Sequence, residues 1–148
     1  MIEVMKDERN SNLINGLLKV WESSVRGTHS FLSNDEILEI KEYVPNALKN
    51  VSHLIIYREK DDKLVAFMGI EENRLEMLFV DYKYRGEGIG KKMLLYGIDN
   101  YGVNELAVNE DNPQAKGFYE HLGFSVYQRN ELDDQGRPYP VLYMKLEK

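Results

Sequence analysis

The stretch RGEGIG, residues 85–90, places three glycines within six positions. It comes directly after an apolar run at 75–80, LEMLFV, and directly before Lys91, Lys92 and a helical pattern. The order strand, glycine loop, helix is typical of anion binding, because unpaired N–H groups and the positive end of the helix dipole point at one spot. The loop therefore predicts a phosphate site formed by backbone amides.

Neither of the two common phosphate-binding motifs fits this loop. A Walker loop requires Ser or Thr after Gly-Lys, but position 92 is Lys, and a dinucleotide fingerprint requires Gly at position 91, which is also Lys. The charge still favours an anion, because residues 83–92 hold four cations and one anion, a net +3, in a chain of net charge −6. The alternative is a glycine turn beside a solvated helix face.

The composition limits the class of protein. With 148 residues, 43% of them hydrophobic, we expect a single domain over residues 1–148. The absence of cysteine excludes disulfides, thiolate metal sites and a thiol nucleophile, and we expect no metal cofactor. The net charge of −6 argues against nucleic acid as a partner. The N-terminus lacks a signal-peptide core and no apolar run approaches the ~20 residues that span a bilayer, so we expect a cytoplasmic protein with no membrane partner.

The hydrophobic periodicity alternates between helix-like and strand-like segments. Helices are predicted over 10–26, from Asn34 as the N-cap towards Ala47, from the glycine loop to about Tyr101, and over 112–123. Strands are predicted at 53–58, 64–70, 75–80, 104–109, from Phe124 onwards, and around 139–146. The sequence therefore predicts a mixed α/β domain.

Two motifs in this chain resemble those of one enzyme family. Arg85-x-x-Gly88-x-Gly90 has the arrangement of the Q/R-x-x-G-x-G/A signature of the GCN5-related N-acetyltransferases (GNAT). Residues 112–124, NPQAKGFYEHLGF, resemble the N-x-x-A-x-x-F-Y-x-x-x-G-F segment of the same family at every fixed position. Segments 21–32 and 133–140 look like those of the bacterial YjaB-type members, so the resemblance extends over the whole chain. Two motifs in the right order are more specific than either alone.

The resemblance implies a mostly antiparallel central sheet of six to seven strands, flanked by about four helices and splayed between strands 4 and 5, here 75–80 and 104–109. It also implies acetyl-CoA as co-substrate, with its pyrophosphate on the amides of 85–90 and its pantetheine arm paired with strand 4. Asn112 would hydrogen-bond that arm, or cap the helix that begins at Pro113. The implied cofactor-binding residues are Phe79, Val80, Arg85, Gly86, Glu87, Gly88, Ile89, Gly90, Lys91, Asn112 and Tyr119.

Tyr119 matches the family tyrosine that faces the thioester sulfur. When an amine attacks acetyl-CoA, the leaving thiolate must be protonated or stabilised, and a thiol pKa of ~8.5 suits donation from a neutral phenol of pKa ~10. The resemblance therefore implies that Tyr119 is the catalytic acid. The alternative is a buried aromatic ring whose hydroxyl finds another partner.

Several side chains are candidates for the base that deprotonates the acceptor amine. An ammonium of pKa ~10 must lose a proton before its nitrogen attacks. Glu76 interrupts an apolar strand, on the face of Val80 by period-two counting, and simple pairing with a cation is its alternative. His29 follows the first helix and has a suitable ordinary pKa of ~6.5, or it is a structural hydrogen-bonder. Asp133 and Asp134 are expected to shape a turn.

The sequence therefore predicts an acetyl-CoA-dependent N-acetyltransferase that transfers an acetyl group directly to a primary amine. The acceptor is a small-molecule or peptide amine that the residues do not identify, and both a monomer and a homodimer stay open. The alternative is a catalytically inactive CoA- or acyl-CoA-binding sensor or interaction module, against which the retained Tyr119 and Asn112 argue. A nucleotide-binding protein is disfavoured by the two failed phosphate motifs.

Overall fold

The computed structural model describes residues 1–6 and 8–146. Its elements, in chain order, are β1 (Ile2–Val4), α1 (Ser11–Thr28), α2 (Asn34–Lys41), α3 (Val44–Asn50), β2 (His53–Arg58), β3 (Leu64–Glu71), β4 (Arg74–Val80), a 3-10 turn (Tyr82–Tyr84), α4 (Ile89–Tyr101), β5 (Glu105–Asn109), α5 (Pro113–His121), β6 (Phe124–Asn130) and β7 (Val141–Leu146). The seven strands form a sheet in the order β1-β2-β3-β4-β5-β7-β6. Its neighbouring strands are antiparallel except β4 and β5, which are parallel. The predicted mixed, mostly antiparallel sheet is confirmed.

Helices cover both faces of the sheet. α1, α2 and α3 pack over one face, on Leu54, Ile56 and Phe67, while α4 and α5 pack over the other, on Ile55 and Met68. Successive side chains of a strand point to opposite faces, so a strand covered on both sides must be apolar at almost every position. This explains why β3 is buried at all of its six inner positions.

The single helix predicted from Asn34 towards Ala47 is two helices, so this prediction was wrong in its start and its length. The N-cap is Ser33, whose hydroxyl accepts a hydrogen bond from the Glu36 amide at 3.1 Å, while the Glu36 carboxylate accepts from the Ser33 amide at 3.0 Å. This capping box satisfies two otherwise unpaired amides. Pro45 lies in the first turn of α3, where a missing N–H is tolerated. With this division the described residues form five α-helices.

The short strand β1 was not predicted by periodicity, because three residues are too few to show an alternation. It pairs antiparallel with β2, with Ile2 opposite Tyr57, and brings the sheet to seven strands. The other strands agree with the prediction to within a few residues at their ends, and α5 begins at Pro113 after the predicted cap Asn112.

The strands β4 and β5 pair at their beginnings and then part. Arg74 lies opposite Glu105 and Leu75 opposite Leu106, and no further pair follows within the described residues. Next to these pairs, the Asn73 side chain donates a hydrogen bond to the Asn104 side chain at 2.7 Å. The predicted splay between strands 4 and 5 is confirmed, and it leaves a wedge-shaped gap in the sheet.

A bulge in β4 lies where the two strands part. Gly69 of β3 pairs with Met77 and Ile70 pairs with Leu75, so Glu76 is the extra residue of the bulge. Leu75 packs in the same cluster as Val80, which shows that the alternation is interrupted at Glu76. Period-two counting, which placed Glu76 on the face of Val80, is therefore not valid across this position.

Candidate active site

The gap between β4 and β5 opens into a cavity of about 550 Å³, called here the first cavity. Its walls come from the end of α1 with His29, from β4, the loop between the 3-10 turn and α4, the start of α4, the end of β5, and α5. A volume of this size lies within the ~300–1,000 Å³ of typical ligand sites. The first cavity therefore has room for part of an elongated ligand.

The glycines of the loop are required by its backbone conformation. Gly86 and Gly88 have φ angles of 79° and 80°, in the left-handed region that side chains other than glycine rarely adopt. A Cβ atom at either position would meet nothing within 4 Å, so space is not the reason for these glycines. The left-handed residues turn the chain so that Gly88 becomes the N-cap of α4.

A row of backbone amides at this loop has no partner within the described residues. No hydrogen bond is made by the amides of residues 86–88, and the first intrahelical bond of α4 runs from Lys92 to Gly88 at 3.1 Å. The amides of residues 89–91 therefore lack an intrahelical acceptor as well. Six consecutive donors at a helix N-terminus are suited to a phosphate or diphosphate.

Arg85 contributes through its side chain rather than its amide. The Arg85 amide, which was predicted to take part, donates to the Tyr82 carbonyl at 3.3 Å, so the row of free amides begins at Gly86. The Arg85 guanidinium lies 5.1 Å from the centre of the Tyr82 ring and donates to the Gln114 side chain. Arg85 and Lys91 both line the first cavity, whereas the predicted Glu87 does not.

The strand edges that face the gap are unpaired. Phe79 and Val80 pair with Phe67 and Ala66 of β3 on one side, and β5 pairs with β7 on its outer side. Beyond Leu75, the inner edges of β4 and β5 have no strand partner among the described residues. Such an edge accepts an extended ligand by hydrogen bonding as an added strand does.

Tyr119 lies on α5 with its ring in the core and lines the first cavity. Its ring packs edge-on against Phe118 and Phe124, with centroid distances of 5.2 and 6.1 Å, and the residue is 9% exposed. Burial raises the pKa of Tyr119 to about 12, so the phenol is neutral at physiological pH. Its hydroxyl makes no hydrogen bond with the described residues, and it is therefore available to a ligand.

Asn112 is both a helix cap and a lining residue. Its side-chain oxygen accepts a hydrogen bond from the Ala115 amide at 3.3 Å, which confirms the capping alternative. The residue is 8% exposed and lines the first cavity. Its side-chain nitrogen makes no hydrogen bond within residues 1–6 and 8–146, which leaves it for a ligand.

A second cavity, of about 300 Å³, lies on the α1 side of the sheet. Apolar side chains of α1, α2 and the segment between them form its walls, and Glu76, Asp133 and Asp134 place carboxylates along it, with Arg74 as a cation. The residues common to both cavities are His29, Leu75, Glu76, Phe79, Ala107, Val108 and Asn109. The two cavities therefore meet along the gap between β4 and β5.

The loop between β6 and β7, residues 131–140, is fastened over the second cavity by contacts to α2. The Tyr139 hydroxyl donates to the Glu36 carboxylate, with oxygen–oxygen distances of 2.6 and 2.7 Å. Arg137 pairs with Glu39 at 2.9 Å. Asp133 accepts hydrogen bonds from two amides of the loop, at 3.0 and 2.8 Å, so its predicted role in the turn is confirmed. Tyr139 lines the second cavity, so these contacts hold one of its walls in place.

The two predicted base candidates both line the two cavities but differ in chemistry. His29 lies 2.7 Å from the Thr28 hydroxyl through its Nδ1, and burial lowers the pKa of its ring to about 4. A base of that pKa is neutral at pH 7 but weak towards an ammonium group. Glu76 lies 3.6 Å from Arg74, so the pairing that was its alternative is present. A role as the base therefore stays a prediction for both His29 and Glu76.

Sequence reasoning missed Asn109 and the pair formed by Glu36 and Tyr139. Asn109 ends β5 and belongs to the residues common to both cavities. A polar residue directly after the apolar run of residues 106–108 was the available signal. The pair Glu36 and Tyr139 has no local signal, because its members are 103 positions apart.

No helix in the described part of the chain is long and apolar enough to cross a membrane. No group of three or more His, Asp or Glu side chains in residues 1–6 and 8–146 is arranged to hold a metal ion.

A splayed sheet with free amides at a glycine loop and open strand edges is a site for an elongated anionic ligand, of the kind used by CoA-dependent acyltransferases. Residues 22–147 match the acetyltransferase (GNAT) domain family. The peptidyl-lysine N-acetyltransferase YjaB of Salmonella typhimurium (strain LT2) is 38% identical over 126 residues, which cover 85% of this chain and 86% of that protein. The chain therefore belongs to the GNAT family of acetyltransferases.

Solved structures agree with this membership. The solution structure of apo-form YjaB from Escherichia coli has a TM-score of 0.86 and 32% identity, covering 98% of this chain and 97% of that chain. The crystal structure of PaiA N-acetyltransferase from Thermoplasma acidophilum in complex with coenzyme A shares the fold, with a TM-score of 0.71, 22% identity, and coverage of 98% and 99%. The predicted family, fold class and N-acetyltransferase activity are confirmed, and acetyl-CoA is the co-substrate of this family.

Proposed function

We propose that this chain, acting as one domain over residues 1–148, transfers the acetyl group of acetyl-CoA to the side-chain amine of a lysine in a peptide or protein. The observation that carries the proposal is that the first and second cavities meet along the gap between β4 and β5. Two substrates entering from opposite sides would then meet at the residues common to both cavities. The YjaB relatives, which are named as peptidyl-lysine N-acetyltransferases, support this choice of acceptor.

The residues of the first cavity fit acetyl-CoA. The diphosphate would lie on the free amides of residues 86–91, near the cations Arg85 and Lys91. The pantetheine arm would run along the open edge of β4 at Phe79 and Val80, with the Asn112 side-chain nitrogen as an additional donor. This assignment uses mainly backbone groups, which do not depend on the identity of most side chains.

The second cavity fits the side chain of lysine. Its apolar walls, which include Trp21 and Val25, suit a methylene stem, and the carboxylates of Glu76, Asp133 and Asp134 favour an ammonium head. A small-molecule amine with a similar aliphatic arm would find the same walls. The YjaB relatives favour the peptide acceptor. The thiol-release experiment below distinguishes it from a small-molecule acceptor.

The transfer exchanges one bond, requires the loss of one proton from nitrogen, and requires a hydrogen bond that stabilises the departing sulfur. The neutral amine attacks the thioester carbon, the N–C bond forms, the C–S bond breaks, and the nitrogen gives up one proton to Glu76, His29 or water. Tyr119 donates its phenolic hydrogen bond to the departing sulfur. Burial raises the pKa of Tyr119 to about 12, so the phenol keeps its proton and is able to donate a hydrogen bond to the sulfur.

Release of free thiol from acetyl-CoA tests the proposal directly. The amines are a peptide with a blocked N-terminus and one lysine, the same peptide with arginine in place of lysine, and a polyamine. We expect thiol release with the lysine peptide and acetylation of its lysine by mass spectrometry, and none with the arginine peptide. Transfer to the polyamine alone would contradict the peptide acceptor. CoA binding without any transfer would support the inactive binding module instead. A cytoplasmic location and the oligomeric state, monomer or homodimer, stay predictions from the sequence.

A further inference from the structure

One buried polar atom in this site has no partner. Within residues 1–6 and 8–146, the side-chain oxygen Oδ1 of Asn109 is the buried side-chain oxygen or nitrogen that makes no hydrogen bond. Leaving such an atom unpaired destabilises the folded protein, and unpaired buried acceptors are rare in native structures. The atom therefore calls for a partner that is not part of the chain.

The position of Asn109 is fixed by its backbone. It ends β5 opposite Val141 of β7, and its carbonyl accepts a hydrogen bond from the Asn112 amide at 3.0 Å. Because the main chain is held on both sides, the residue cannot move far to find another donor. Asn109 lines both cavities, so the residue lies where the two substrates of the proposed reaction would meet.

The missing partner must be a hydrogen-bond donor. A diphosphate and a thioester offer acceptors only, which excludes those parts of acetyl-CoA. The pantetheine arm carries amide N–H donors, but in the proposed assignment these groups face the open edge of β4, and the CoA measurement below tests them separately. The attacking amine nitrogen carries N–H groups and has to reach this junction for the reaction to occur. We propose that Asn109 Oδ1 accepts a hydrogen bond from the acceptor amine and so aims its lone pair at the thioester carbon. This inference rests on the proposed function and assigns Asn109 as an acceptor-binding residue.

The chemistry of the step favours such a contact. A neutral primary amine has two N–H groups and one lone pair, so one N–H can bind Asn109 while the lone pair forms the new N–C bond. The nitrogen becomes positive as it attacks, and hydrogen bonds from a charged donor are stronger than those from a neutral one. The contact therefore strengthens towards the transition state, which is the condition for raising the rate. The second proton on nitrogen leaves to the base as the C–S bond breaks.

The variant Asn109→Leu separates this role from a structural one. Leucine replaces an unpaired polar group by an apolar one of similar size, so we expect thermal stability to stay equal or to rise. We expect kcat/KM for the blocked lysine peptide to fall by about tenfold or more, because a buried hydrogen bond to the amine is lost. Asn100→Leu is the control, because Asn100 is exposed at the far end of α4 and bonds to the Tyr96 carbonyl.

A bisubstrate adduct gives a second readout that does not depend on turnover. In this compound the CoA sulfur is joined through an acetyl bridge to the side-chain nitrogen of a blocked lysine, so that an amide N–H occupies the place of the attacking amine. By calorimetry we expect Asn109→Leu to weaken the adduct by about tenfold while CoA itself binds as in the wild type. An equal loss for CoA and adduct would place Asn109 in the donor site, and no loss for either would remove its role; both outcomes overturn the inference.

The same experiments distinguish this inference from the proposed function. If the wild type acetylates the lysine peptide and Asn109→Leu does so equally well, the function stands and the role of Asn109 is wrong. If the wild type binds the adduct no more tightly than CoA and does not acetylate the peptide, the lysine acceptor itself is wrong, and the inference fails with it.

Discussion

The two cavities differ in what they are made of. The first cavity, beside side chains of α1, β5 and α5, presents the backbone groups of one short continuous segment, the edge of β4 followed by the amides of residues 86–91. The second cavity is enclosed by side chains from α1, α2, β4, β5 and the loop at 131–140. Binding of a ligand through backbone groups is retained when most side chains around it are substituted. The comparison indicates that the acyl donor is fixed by the fold and that the acceptor is selected by side chains distant in sequence.

The residues common to both cavities, together with Tyr119, are where this division can be tested. A change in the first cavity should alter CoA binding, a change in the second should alter the KM for the amine, and a change at the reacting atoms should alter kcat.

Tyr119→Phe removes the hydroxyl and keeps the ring that packs against Phe118 and Phe124. We expect kcat to fall by about 10²-fold or more, because the departing sulfur loses its hydrogen-bond donor, while CoA affinity stays close to that of the wild type. Steady-state kinetics with the lysine peptide and calorimetry with CoA measure the two quantities. Tyr127→Phe, on an exposed part of β6, is the control. Unchanged turnover would remove Tyr119 from the mechanism.

Gly88→Ala tests the backbone character of the first cavity. A side chain at a φ of 80° costs about 1–2 kcal/mol, so the loop is expected to rearrange and CoA affinity to fall by about tenfold. Gly117→Ala is the matched control, since Gly117 lies inside α5 with a negative φ and open space around its Cβ, and there alanine should stabilise by about 1 kcal/mol. Calorimetry and thermal unfolding distinguish the two. Wild-type CoA affinity in Gly88→Ala would show that the left-handed turn is not needed for binding.

Tyr139→Phe loosens the loop over the second cavity, because it removes the hydroxyl that donates to Glu36. We expect the KM for the lysine peptide to rise by about three- to fivefold with CoA affinity unchanged, since one partly buried hydrogen bond is lost. Tyr143→Phe is the control, because that hydroxyl only accepts a hydrogen bond from Asn130 at 3.2 Å. A loss of CoA affinity in Tyr139→Phe would mean that the two cavities are not independent.

The same contrast explains what could be predicted from the sequence. The first cavity was predicted because its loop, strand and helix are contiguous and because glycine is needed at left-handed positions such as Gly86. The second cavity was not predicted from the sequence. Contacts such as the one between Arg137 and Glu39 join residues 98 positions apart and exist only once the chain has folded. The bulge at Glu76 has no local marker in the sequence, so strand alternation alone could not decide the face of Glu76.

The error in the N-cap of α2 is different, because the sequence does contain a local signal for the correct residue. Ser33 and Asn34 are both good N-caps, and the sequence alone decides between them through Glu36, which lies three residues after Ser33 and completes a capping box. The unpaired oxygen of Asn109 has no such local signal in the sequence. Whether a side chain finds a hydrogen-bond partner depends on every neighbour in the fold.

The smallest effect is expected for His29→Gln, and it appears in stability rather than in turnover. Burial lowers the pKa of His29 from 6.5 to about 4, so the fold favours the neutral ring. As the pH falls below 6.5 the unfolded chain takes up the proton first, so this contribution to stability is present above pH 6.5 and is lost down to pH 4. The carboxylates with a lowered pKa, such as Glu22 beside Lys41, lose their contribution below 4.5 instead.

Thermal unfolding between pH 4.5 and 6.5 therefore isolates His29. We expect the melting temperature of His29→Gln to depend less on pH across this window than that of the wild type, because glutamine does not titrate. His121→Gln, at the exposed end of α5, is the control and should keep the wild-type slope. We also expect turnover at pH 8 to stay close to wild type, since a ring with a pKa of about 4 is a weak base for an ammonium group. A large loss of turnover with an unchanged stability slope would instead make His29 the base and leave Glu76 as the partner of Arg74.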